Sequence, residues 1–117
     1  MLFVCYPRCS TCAKARTWLN DHKLAFTERD IKLDNPTEQE LRTWHEASGF
    51  ELKKFFNTSG IPYRELGLAK KLPAMSTDEQ YALLATNGML VKRPLVVTDE
   101  GKILTGFKEA EWAEVLL

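Results

Sequence analysis

Six apolar or aromatic residues, Met1-Leu2-Phe3-Val4-Cys5-Tyr6, are cut off at Pro7, and a segment with helical spacing follows at once, running to about His22. A continuous apolar run without alternation is the pattern of a strand covered on both faces. In the helical segment Cys12, Ala15 and Leu19 fall on one face with Trp18 beside them. Leu24 to Ile31 reads as a second strand. Strand, helix and strand within about thirty residues leave few options, because such a crossover joins parallel strands and is right-handed. The chain is therefore expected to be α/β.

Downstream, Pro36 precedes Thr37-Glu38-Gln39-Glu40, a capping box opening a helix with Leu41 and Trp44 on its buried face and Gly49 at its end. Glu51 to Asn57 suggests a short helix, and Gly60-Ile61-Pro62 a break. Ser76-Thr77-Asp78-Glu79 is a second capping box, whose helix carries Tyr81, Leu84 and Ala85 and is expected to close at Asn87-Gly88. After Arg93-Pro94, the strand Leu95-Val96-Val97-Thr98 turns at Asp99-Glu100-Gly101 and returns over Lys102 to Thr105. A last helix places Trp112, Val115 and Leu116 together. The sum is one domain over residues 1–117, a four-stranded mixed sheet with a helical insertion over about 36–90. At 117 residues such a domain buries enough surface to fold without staples.

Sixteen basic and sixteen acidic side chains cancel, so direct nucleic-acid binding and attraction to an anionic membrane are not expected. No apolar run approaches the ~20 residues of a membrane span, and the opening residues lack a basic leader, so a cytoplasmic location is expected. In a reducing compartment the three cysteines point to redox or catalytic use rather than to a structural framework.

Cys9-Ser10-Thr11-Cys12 lies at the junction of the first strand and helix. Unpaired N–H groups and the positive end of the helix dipole stabilise a thiolate there, and Arg8 adds a cation. Cys9, just before the helix, is expected to be the exposed attacking sulfur, with Cys12, on the core-facing seam, as the resolving one. Arg8, Ser10 and Thr11 are candidate substrate-binding neighbours. A zinc half-site is disfavoured because no second Cys-x-x-Cys exists and His22 and His45 are not at ligand spacing, so no metal is expected. Cys5, within the first strand, is expected to be a small buried apolar residue. A route in which Cys9 works alone with glutathione remains open beside the two-thiol route.

Three stretches carry a family resemblance: Tyr6-Pro7-Arg8-Cys9-Ser10-Thr11-Cys12, Pro62-Tyr63-Arg64-Glu65-Leu66-Gly67-Leu68 and Lys92-Arg93-Pro94-Leu95-Val96-Val97. With them the chain resembles the ArsC/Spx family, whose members place a helical insertion in a thioredoxin/glutaredoxin-like scaffold. The resemblance implies Cys9 as nucleophile, Cys9 and Cys12 as a redox-active disulfide, Arg93 close to the cysteines, and a cis Pro94 opposite them. It also implies an external thiol reductant, thioredoxin or a glutathione/glutaredoxin system, and no bound cofactor. Arsenate reductases of the family hold the oxyanion with three arginines. Arg93 matches one, while Asn57 and Gly106 stand at or near the other two, with Lys53, Lys54 and Lys108 as possible replacements. Neither residue supplies a bidentate cationic fork, so a thiol-dependent oxidoreductase acting on a small oxidised substrate or protein disulfide, rather than on arsenate, is the expectation. The alternative is an Spx-like redox-switched transcriptional regulator that docks on the RNA polymerase α-subunit.

Overall fold

The computed structural model describes residues 1–117. Four strands, β1 (Leu2–Cys5), β2 (Thr27–Asp30), β3 (Leu95–Val97) and β4 (Ile103–Thr105), form one sheet in the order β2-β1-β3-β4. β1 runs parallel to β2, with Leu2 opposite Thr27 and Cys5 opposite Asp30, and antiparallel to β3, which pairs antiparallel with β4. This is the mixed four-stranded sheet expected from the chain order.

Because β1 is interior, its side chains feed two cores. Phe3 and Cys5 project to one face, where they meet Cys12, Ala15, Trp18 and Leu19 of helix α1 (Ser10–Asp21) and Trp112 of the C-terminal helix. Val4 projects to the other, among Leu41, Trp44, Phe55, Phe56, Tyr81 and Leu84. The hairpin alternates in the same way, Val96 and Leu104 joining the first group and Leu95 and Ile103 the second. The three tryptophans are all buried, and Trp18, Trp112 and Phe107 stack edge to face.

The helical insertion supplies the second face. It comprises α2 (Glu38–Ser48), a 3₁₀ turn at Leu52–Phe55, α3 (Ile61–Glu65), α4 (Leu68–Lys71), a 3₁₀ turn at Leu72–Ala74, α5 (Thr77–Thr86) and a 3₁₀ turn at Gly88–Leu90. Both capping boxes form: Thr37 Oγ1 accepts from the Glu40 amide and Ser76 Oγ from the Glu79 amide, each answered by the glutamate's bond back to the cap amide. Arg29 donates to both Glu40 oxygens at 2.6 and 2.9 Å, joining β2 to α2. That guanidinium holds the Glu40 carboxyl down to about 2. The pair's contribution is thus complete above the ordinary glutamate range and lost only as pH falls towards that value. Helix α6 (Glu109–Leu116) closes the chain, its Trp112 Nε1 donating to the Gly106 carbonyl at 3.0 Å.

Two sequence expectations are corrected. The second strand spans only Thr27–Asp30 instead of Leu24 to Ile31, because β2 is an edge strand whose polar residues stay half-exposed or exposed, while Leu24 and Phe26 pack onto the α1 face before the pairing begins. Gly60-Ile61-Pro62 is a helix start rather than a break: Gly60 caps α3 and the proline sits in its first turn, where its missing N–H costs nothing. Helix α5 closes at Asn87-Gly88 as expected, ending at Thr86 with an extended Asn87 as its cap.

Gly88 has a further task. The Ile31 carbonyl, just past the end of β2, presses against its Cα, and a Cβ there would overlap that carbonyl oxygen. This backbone approach fixes the return of the insertion to the sheet, beside the Asn35 Nδ2 bond to the Ala85 carbonyl at 2.6 Å. Gly88→Ala is expected to cost about 2 kcal/mol or more through overpacking, read as a lower urea midpoint at constant slope; an unchanged midpoint would show that the contact relaxes freely.

Candidate functional site

β1 ends at Cys5, and Tyr6 to Arg8 carry the chain out of the sheet into α1. The turn is closed by the Cys9 amide donating to the Tyr6 carbonyl at 3.0 Å. Cys9 is the N-cap residue of α1, with extended φ and ψ of −83° and 124°. Its side chain makes no short capping bond. Its sulfur is instead faced by the Cys12 and Thr11 amides, which act as electrostatic donors at the positive end of the helix. Burial alone would push the half-buried Cys9 thiol up. The Cys12 amide and thiol, the Arg93 guanidinium and the Thr11 amide outweigh it and hold the group below its ordinary value.

Cys12 is the opposite case. It is fully buried one turn along the helix, and the Tyr6 amide donates to its sulfur at 3.4 Å. The neighbouring Cys5 thiol and burial together drive the Cys12 thiol far above its ordinary range. The two sulfurs of the motif therefore differ in accessibility and in ionisation. All three cysteines are free thiols.

Arg93 approaches Cys9 from the start of β3, the strand beside β1. The Arg93–Pro94 peptide is cis, and the guanidinium carbon lies 5.3 Å from the Tyr6 ring centroid. Its Nε and Nη1 atoms are buried without a hydrogen-bond partner. A buried, unsatisfied guanidinium edge beside a nucleophilic sulfur is a seat for an anionic oxygen.

These groups open into a cleft of about 1250 Å³ between the insertion and the β4–α6 connection. Cys9, Thr11, Asn57 and Arg93 line it. Arg8 and Ser10 are exposed and Pro94 is buried, and none of the three belongs to its walls. Lys53, Lys54 and Lys108 do line it, and so do Lys92 and Lys102. With Arg93 that makes six cations against three carboxylates, Glu51, Glu111 and Glu114. Apolar patches come from Phe50, Phe56, Ile61, Phe107 and Val115.

Lys92 is the wall residue that sequence reasoning missed. Gly106 has φ of 71°, and the Lys92 side chain crosses its open face, with Cε 3.2 Å and Nζ 4.0 Å from where a Cβ would stand. The place that a side chain at 106 would occupy is thus held by a lysine next to Arg93 in sequence. Its position before Arg93-Pro94 was the available signal, but only the fold brings it over Gly106. Asn57 packs its side chain over Gly60, and its backbone N–H donates to the Leu90 carbonyl at 2.7 Å, so it helps to position the cleft wall. His45 sits between the Tyr81 hydroxyl and the Phe50 carbonyl, at 2.6 and 2.9 Å, and is committed to the insertion's core.

The comparisons with known proteins agree with this geometry. Residues 5–115 match the model of the ArsC family. An ArsC-family-related protein from Bacteroides fragilis superposes with a TM-score of 0.93 at 57% identity, over 97% of this chain and 94% of that one. A possible arsenate reductase from Streptococcus mutans UA159 superposes at 0.85 with 51% identity, over 92% and 90%. Among relatives by sequence, YusI of Bacillus subtilis is 51% identical over 97% of this chain and 96% of its own length. The global transcriptional regulator Spx of Staphylococcus saprophyticus is 27% identical over 90% and 78%. With a thioredoxin-like sheet, a cysteine at the first helix start and a matched region spanning nearly its whole length, the chain belongs to the ArsC family.

Proposed function

We propose that this protein is a thiol-dependent oxidoreductase that reduces an anionic disulfide or a comparable oxidised thiol compound. The observation that carries the reading is the asymmetry of the two sulfurs: Cys9 is accessible and held low, while Cys12 is buried and held protonated behind it. Cys9 thiolate attacks one sulfur of the substrate disulfide, forming a mixed disulfide and releasing the first thiolate, which takes a proton from water. Cys12 then attacks the Cys9 sulfur and expels the second thiolate. The substrate gains two electrons, and the enzyme is left with a Cys9–Cys12 disulfide, which thioredoxin or a glutathione/glutaredoxin system reduces.

The cleft favours this substrate class over a bare oxyanion. Its volume exceeds the ~300–1,000 Å³ of ordinary small-molecule sites, so an arsenate-sized ion would fill little of it. Arg93 is the one guanidinium in its walls, and the surrounding lysines are point charges rather than bidentate forks. Distributed cations with apolar patches suit a molecule that carries separated carboxylates and some apolar surface. Likeness to a transcriptional regulator supports a second reading, in which the same disulfide switches a surface that docks on the RNA polymerase α-subunit.

Cys9→Ser is expected to abolish reduction of small disulfides. Cys12→Ser is expected to keep the first step and to accumulate substrate-derived mass on Cys9. Turnover surviving in Cys9→Ser contradicts the proposal. A wild-type protein that oxidises once, does not turn over with either reductant, and is retained on the polymerase α-subunit in only one redox state would establish the regulatory reading instead. Replacing Lys53 and Lys92 by glutamine is expected to raise KM for oxidised glutathione about fivefold and to flatten its salt dependence, with KM for an uncharged disulfide unchanged. Equal effects on both substrates would remove the anionic-substrate assignment.

A further inference from the structure

Four arginines of this protein lie over aromatic rings: Arg16 over Phe3, Arg29 over Trp44, Arg42 over Tyr81 and Arg93 over Tyr6. The first three are also paired with carboxylates, Glu28, Glu40 and Asp78, at 2.7, 2.6 and 2.9 Å. Arg93 has the ring without a carboxylate. Its Nε and Nη1 are buried and make no hydrogen bond, although buried polar groups ordinarily find a partner.

The ring accounts for how such a group is held. A guanidinium carries five N–H donors in one plane and no acceptor. A carboxylate partner would occupy some of those donors and offset the charge. An aromatic face attracts the cation through its quadrupole and takes no donor from it. The Tyr6 centroid lies 5.3 Å from the Arg93 guanidinium carbon, within the ~6 Å reach of that attraction. Tyr6 therefore supports Arg93 while leaving its edge open.

The same residue also fixes the two sulfurs. Its carbonyl accepts from the Cys9 amide at 3.0 Å, and its own N–H donates to the Cys12 sulfur at 3.4 Å. Cys9 comes from the junction of β1 and α1, and Arg93 from the segment leading into β3. Chain connectivity does not set the separation between them, whereas Tyr6 contacts both. Cys9 and Arg93 line the cleft. Tyr6 lies outside its walls and packs against the insertion's core.

We propose that Tyr6 is a positioning residue for the substrate's anionic group: its ring carries Arg93 beside Cys9 with the guanidinium edge free. The inference rests on the anionic-substrate reading. It adds that anion recognition at Cys9 depends on an aromatic face outside the cleft.

The test reads the anion preference of Cys9 directly and needs no turnover. The full-length reduced protein is alkylated at pH 7 with iodoacetate and, separately, with the neutral iodoacetamide, and Cys9 is followed by fragment mass spectrometry. A change in thiolate fraction affects both reagents alike and cancels in the ratio of the two rates. Buried Cys5 and Cys12 staying unmodified show that each variant is folded. Arg93→Met is expected to lower the iodoacetate-to-iodoacetamide ratio about fivefold, the weight of one partly exposed charge pair. Tyr6→Leu, which keeps the backbone bonds to both cysteines, is expected to lower it nearly as far. Tyr6→Phe, which keeps the aromatic face, is expected to retain the wild-type ratio. A wild-type ratio in Tyr6→Leu beside a lowered one in Arg93→Met overturns the inference and leaves the anion seat standing. So does a Tyr6→Phe protein as impaired as Arg93→Met, an outcome readable even where Tyr6→Leu fails to fold. An unchanged ratio in Arg93→Met removes the anionic-substrate reading itself, and the role of Tyr6 with it.

Discussion

The site depends on where β1 stops. A strand covered on both faces cannot carry a polar group along its length, so the first place the chain can present a reactive side chain is the point at which it leaves the sheet. That point comes at Tyr6 and Pro7, and the next residues become the start of α1. The same event leaves the helix's first amides unpaired and sets Cys9 in front of them. It also carries Cys12 behind the first turn, into the core that Phe3 and Cys5 began. A longer strand or a later helix start would lose the difference between the two sulfurs.

From this follows a division of the molecule by chemistry. One face of the sheet is packed by the insertion, and the cleft opens between that insertion and the β4–α6 connection, gathering cations around Cys9. The other face, covered by α1 and α6, holds Cys12 and Cys5, with Arg16 bonded to the Cys5 sulfur and paired with Glu28. The protein has no net charge, so the cationic character of the cleft is a matter of placement. Lys92 across Gly106 and Arg93 beside the cis peptide put it there.

Local signals were legible wherever a feature is decided within a few residues. The two capping boxes, the helical seam of Cys12, Ala15 and Leu19, and the hairpin at Asp99-Glu100-Gly101 are of that kind, and each was read from sequence with the right residues. Features decided by distant neighbours were not legible. The length of β2 depends on its being an edge strand, which chain order alone does not reveal. Gly88 reads as a helix stop, but it is small because a carbonyl 57 positions earlier lies against it. Within the site, the order of the two sulfurs along the strand–helix junction was readable, whereas Lys92 and the setting of Cys5 were not. Arg16 becomes a partner of Cys5 only once β2 supplies Glu28, and Lys92 becomes a cleft residue only once β3 and β4 bring Gly106 beneath it.

The measurement that bears most directly on the account is the ionisation of the two sulfurs, followed residue by residue as the pH dependence of iodoacetamide alkylation with fragment mass spectrometry. Cys9 is expected to alkylate with a midpoint well below the free-thiol value of ~8.5, Cys12 to stay unreactive across that range, and Arg93→Met to move the Cys9 midpoint upward. Similar midpoints near ~8.5 for both sulfurs, or prior alkylation of Cys12, would contradict the claim that the fold divides their labour.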